Sequence, residues 1–147
     1  MVTRVGRDRG YGARPMRVTR IGLVVVVMAM AITAGAAPPY DGTQPMQCAI
    51  NTVMVCSDPS VCVRGNAATV NLPPILNVDA VQKIISGAAT GRTVKITSVE
   101  REGGRLLLAG SESGGSWNVA VVEDTGAMSS VVLVRNGGFV MFGSCSN

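Results

Sequence analysis

The 147-residue sequence contains no histidine. That absence excludes imidazole acid–base catalysis, His-based triads and His-ligated metal centres. Aromatic residues are scarce: one Trp, two Tyr and two Phe make up 3% of the chain. Single-strand nucleic-acid binders stack bases on aromatic platforms, and too few rings are present for one. Charged residues reach only 15% and are unevenly placed. Six Arg and one Asp fall in the first 20 residues, a net +5, while the rest holds seven bases and eight acids, a net −1. The formal charge of +4 therefore belongs to the leader. The remainder lacks the basic face that phosphate binding needs, so no nucleic-acid partner is expected.

A long hydrophobic run is present once. Residues 21–37 read IGLVVVVMAMAITAGAA, behind a cluster of Arg and ending in small residues. Basic region, apolar run and small-residue end are the order of a signal peptide. Ala34-Gly35-Ala36 fits the A-x-A cleavage pattern, which predicts a signal peptide over 1–36, with cleavage after Ala37 as an alternative. Met16 is a possible true start, with MRVTR as a compact basic region. The competing reading is an uncleaved membrane anchor, although 17 apolar residues stand at the short edge of a spanning helix. The nearest cysteine, Cys48, is too far from the cleavage site for a lipoprotein. The expected location is therefore exported, periplasmic or extracellular, with membrane contact only through an uncleaved leader.

Four cysteines follow the leader: Cys48, Cys56, Cys62 and Cys145. An even count in a small exported domain reads as two disulfides, for which three pairings exist. Cys56–Cys62 closes a short loop around Asp58-Pro59-Ser60, a turn-prone stretch, and Cys48–Cys145 ties the start of the domain to its end. That pairing is preferred. A zinc site is the alternative, but the spacings fit its patterns poorly and no His is available. No metal or other cofactor is expected.

Residues 37–47 read as a flexible lead-in and 48–147 as a single domain, large enough for a modest core. In its first part, short strands are expected around Ala49–Val55 and Thr69–Leu72. From Ile75 onward, apolar runs alternate with Gly-rich punctuation, the pattern of consecutive hairpins. A two-residue turn at Asn136-Gly137 would pair Val134 with Phe139 and Val132 with Met141. Gly126 can take the left-handed position of a three-residue loop 124–126. Gly103-Gly104 would join a strand 92–99 to a strand 105–109. Residues 77–87 admit a short helix capped by Asp79 and Gln82, or a hairpin; the richness in Val and Ile favours strands. The fold expected is all-β, an antiparallel meander of about six to eight strands forming a disulfide-stapled small barrel or sandwich.

The Cys-rich start, NLPPILNVD (71–79), GGRLLLAG (103–110), SWNVAVVEDTGAM (116–128) and GFVMFGSC (138–145) follow in that order. Together they resemble a group of small exported bacterial proteins without an assigned activity. The resemblance covers roughly residues 46–145. It implies a bacterial exported protein whose motif residues serve the fold, and it carries over no catalytic role.

Candidate chemistry is thin. Asp124-Thr125-Gly126-Ala127 after an apolar strand looks like the active-site loop of retroviral-type aspartic proteases, where two such Asp share a proton. Against it stand Glu123 directly before the Asp, the short chain that follows, and a complete explanation as a hairpin turn. Ser113-Gly114-Gly115-Ser116 lacks the G-x-S-x-G form and any activating base. Residues 87–91 lack the closing Lys of a phosphate loop. Glu100, Arg101, Glu102 and Arg105 read as a solvated turn with weak ion pairs. Met46, Met54, Met128 and Met141 read as core filler. Trp117 is either a core residue or a surface for a ligand, the core being favoured. Phe139 and Phe142 alternate onto opposite faces, so one belongs to the core and the other to a pocket or interface. Trp117, Phe139 and Phe142 are thus the candidate ligand or partner contacts. The expectation is a non-enzymatic exported β-module that binds a partner protein or a small apolar ligand. A membrane-anchored envelope protein is the alternative, and a hydrolase using Asp124 is a distant third.

Overall fold

Alternating apolar and polar residues are what a half-buried strand requires, and nearly every such run forms one. The structure, a computed structural model, describes residues 38–58 and 60–147. The expected signal peptide lies outside them. The strands are β1 (Met46–Asp58), β2 (Val61–Gly65), β3 (Ile75–Asp79), β4 (Ile84–Gly87), β5 (Thr93–Lys95), β6 (Ser98–Glu102), β7 (Arg105–Glu112), β8 (Gly115–Val122), β9 (Ala127–Val134) and β10 (Gly137–Ser146). They form one antiparallel sheet in the order β5-β4-β3-β1-β10-β9-β8-β7-β6, with β2 paired to β1 beside this path. The sheet curls into a half-barrel. No helix among the described residues is long and apolar enough to cross a membrane.

Pairing across the sheet sets the inward rows. One row runs Gly110, Trp117, Val132, Phe139, Val55; the next runs Leu108, Val119, Ser130, Met141, Val53. A third runs Leu106, Val121, Met128, Gly143, Ile50. On β1 the switch from Ile50 to Val53 crosses a bulge at Asn51, which restores the inward phase after one extra residue. The buried core comes from these rows and from Met46, Val78, Ile85 and Ile96. Among the methionines, Met46, Met128 and Met141 are buried in it.

Both disulfides join residues directly opposite on neighbouring strands. Cys48–Cys145 links β1 to β10, and Cys56–Cys62 links β1 to β2. No cysteine is left free, so the zinc alternative has no ligands.

The two outermost strands of the sheet are consecutive in the chain. Between β5 and β6 only Ile96 and Thr97 intervene. Ile96 is buried and its N–H donates to Lys83 O (2.9 Å), while the Thr97 N–H donates to Ala109 O (2.8 Å). The chain thus steps from one edge of the sheet to the other. Beyond this step β5 and β7 face each other across a seam with no ladder between them. Arg92 and Glu112 bridge the far end of the seam at 3.0 Å.

Several expectations change. The strand expected over 92–99 is broken at Ile96-Thr97, because the two halves pair with different partners. Residues Thr69–Leu72 are not a strand. A 3-10 turn spans Ala67–Val70 instead, started by Asn66, whose side chain accepts from Thr69 N–H while Thr69 Oγ1 accepts from Asn66 N–H. The β9–β10 turn consists of Arg135 and Asn136, and pairs Val132 with Phe139 and Ser130 with Met141. The register thus differs by two residues from a turn at Asn136-Gly137, though each side chain keeps its face. The reason is that positive φ falls on Gly137 (138°) alone, not on Asn136. Residues 77–87 form the β3–β4 hairpin, where Asp79 accepts from Gln82 N–H (2.7 Å) across the turn rather than capping a helix. The lead-in is docked before β1 begins: Tyr40 N–H donates to Glu123 O (3.0 Å), and Asp41 is buried.

Candidate functional site

The inward rows are filled near the Cys48–Cys145 end and hollow at the other. The hollow is a cavity of about 300 Å³ between β3–β5 on one side and β8–β10 on the other. Its depth is lined by Ile85, Trp117, Val119, Ser130 and Met141, all buried. Phe139, Val132 and Leu76 form half-buried walls. Arg92, Glu112, Ser113 and Arg135 stand at the exposed rim. Ser130 holds part of the hollow open, since its inward position is one where Val or Leu would fill the space.

Trp117 is set by its cross-strand partner. It pairs with Gly110, and the Cε2–Cζ2 edge of the indole stands against that glycine. A Cβ at residue 110 would come within 2.6 Å of the indole Cε2 and 2.7 Å of Lys95 O. Only a glycine leaves room for the ring there. The indole Nε1 is buried and, among the described residues, has no hydrogen-bond partner. The Ser130 hydroxyl is satisfied, donating to Asn118 O at 2.8 Å.

The three aromatic candidates are therefore divided. Trp117 and Phe139 meet in the cavity, as cross-strand neighbours on either side of Val132. Trp117 belongs to the core and to the cavity wall at once. Phe142 does not join them. It stands 48% exposed on the convex face, where Leu133 is 55% exposed.

A second polar cluster lies at the filled end. Arg101 reaches from β6 to Glu123, with Nε donating to Oε1 at 2.6 Å and Nη2 to Oε2 at 3.2 Å. The buried Asp41 carboxylate stands 3.7 Å from Arg101 Nη1. Thr43 donates its hydroxyl and its N–H to Asp41, and these bonds, aided by Arg101, hold the Asp41 carboxyl below its ordinary pKa. The bond to Glu123 raises the Arg101 pKa above its usual value. Arg101 is thus part of a clamp on the lead-in, not a member of a merely solvated turn. Glu123 had looked like an unsuitable neighbour for a catalytic Asp. It turns inward to Arg101, whereas Asp124 points out, exposed in the β8–β9 turn.

Comparison with known protein families, with curated proteins and with solved structures finds no match for this chain.

Proposed function

We propose that this protein is an exported, non-enzymatic β-module that holds a small apolar ligand in the mouth of its half-barrel. The observation that carries the reading is the apolar hollow of about 300 Å³ beside the seam. Small-molecule sites favour the mouths of barrels, and this volume stands at the lower end of their roughly 300–1,000 Å³ range. Export is supported by the leader pattern of residues 1–36 and by two disulfides, which persist in oxidising compartments.

The test uses protein purified after expression of the full chain. N-phenyl-1-naphthylamine, an apolar dye that brightens out of water, is expected to bind saturably at one site. Ser130→Leu should fill the hollow and abolish the signal while leaving the far-UV spectrum unchanged. Absence of saturable binding by the unmodified protein would end this reading.

The convex face supports a second reading, in which a partner protein covers Leu133 and Phe142. Apolar residues exposed together mark interaction surfaces more often than singly exposed ones do. Crosslinking in the expressing cell should then give an adduct that Phe142→Ser loses without a change in thermal unfolding.

A further inference from the structure

The chemistry inside the cavity narrows the class of ligand, provided that the cavity is the ligand site. Two buried side chains with polar groups line it, Ser130 and Trp117. Ser130 is committed to Asn118 O. The Trp117 N–H is shielded from water and has no acceptor among the described residues. Folded proteins leave few buried donors unpaired, so each one points to a missing partner. The apolar side chains that line the cavity with it, Ile85, Val119, Val132, Phe139 and Met141, offer no strong acceptor. Charge is confined to the exposed rim, where Arg92 and Glu112 pair with each other and Arg135 stands in solvent.

We propose that the cavity takes a small neutral apolar molecule bearing one hydrogen-bond acceptor, such as a ketone or ester carbonyl, and that Trp117 Nε1–H donates to it. An ionised group inside the hollow would be stripped of water without a counter-charge, which opposes fatty carboxylates or amines buried head first. A plain hydrocarbon would fit the apolar walls but leave the donor unpaired. A site with a buried donor discriminates against the analogue that lacks the acceptor. The N–H has almost no accessible surface, so an acceptor in the cavity reaches it only as the indole or its neighbours yield. The ring therefore responds to the ligand.

The experiment displaces bound N-phenyl-1-naphthylamine with 2-decanone or with n-undecane, in the unmodified protein and in Trp117→Phe. The Phe variant keeps an aromatic ring and deletes the N–H. The ketone-to-alkane affinity ratio is expected to fall about fivefold to tenfold in the variant, the size of one neutral hydrogen bond. An unchanged ratio, with the dye still bound, would overturn the assignment of the donor while leaving the cavity reading intact. Failure of the dye to bind the unmodified protein would remove the cavity reading itself. Should Trp117→Phe not fold, the indole N–H resonance decides, since the chain has a single Trp. A downfield shift with 2-decanone and none with n-undecane supports the donor role; identical responses overturn it.

Discussion

Gly110 and Trp117 act as one unit: the only indole stands with its edge against the glycine. Gly110→Ala drives a methyl into the ring and towards Lys95 O, and overpacking of this kind costs about 1–3 kcal/mol. A lower urea midpoint together with a shifted Trp emission maximum is the expected result. An unchanged midpoint would mean that the ring does not lie against Gly110. The other residue with wide reach is Arg101. Arg101→Met should destabilise the domain more than Arg105→Met, because it strands two buried carboxylates, Asp41 and Glu123. The pH dependence follows from Asp41. Its folded pKa lies below the unfolded value of 3.8, so its ionised form stabilises the fold at neutral pH. That contribution fades as the pH falls past 3.8 and through the lower folded value. Urea midpoints measured at about pH 7 and pH 3 should therefore converge between the unmodified protein and Asp41→Asn at the acid end. Little of this was legible beforehand. Arg101 and Glu123 are 22 residues apart, and neither carries a local signal of the other. That Gly110 had to be a glycine depends on which residue lies opposite, hence on register.

At the scale of elements, the presence of the hairpins from β6 to β10 could be read from alternation and turn residues, because each pairs neighbours in the chain, but the β9–β10 register could not. The Gly103-Gly104 turn and the left-handed Gly126 were visible in that way, although the loop that holds Gly126 has four residues, 123–126, and not the expected three. The break between β5 and β6 was not. Lys95-Ile96-Thr97-Ser98 has no Gly or Pro, and what ends the strand is a change of partner rather than a local breaker. The 3-10 turn was masked for a different reason: β-branched residues suggest a strand, while Asn66 and Thr69 satisfy each other's backbone and win locally. The cavity was inaccessible to sequence reasoning, since its two walls belong to strands paired far apart in the sheet. The disulfides allow an element-level prediction. Loop-closure entropy assigns about 4–5 kcal/mol to Cys48–Cys145, with a separation of 97, and about 2 to Cys56–Cys62, with a separation of 6. The paired Cys→Ala variants should lower unfolding midpoints in that order. Equal losses would show that strain or residual unfolded structure outweighs loop length.

For the whole molecule, the seam between β5 and β7 is where the half-barrel is weakest. It has one backbone bond from Thr97 and an exposed ion pair between Arg92 and Glu112, and an exposed pair contributes only about 0–1 kcal/mol. Glu112→Gln should leave global stability nearly unchanged, yet speed the uptake of N-phenyl-1-naphthylamine, as stopped-flow mixing would show. Equal uptake rates would place the ligand's path elsewhere. Hydrogen exchange should be faster at Thr93–Lys95 than in the centre of β1, which has neighbours on both sides. The position of β1 has a further consequence, one of timing. A ribosome makes β1 first, and the strands that pair with it next, β2 and β3, are complete by residue 79. Its other neighbour, β10, begins only at Gly137, after every other strand of the sheet has been made. One edge of the central strand thus waits for β10. A nascent chain cannot complete this sheet before β10 has been made, and so remains threadable through a narrow channel until then.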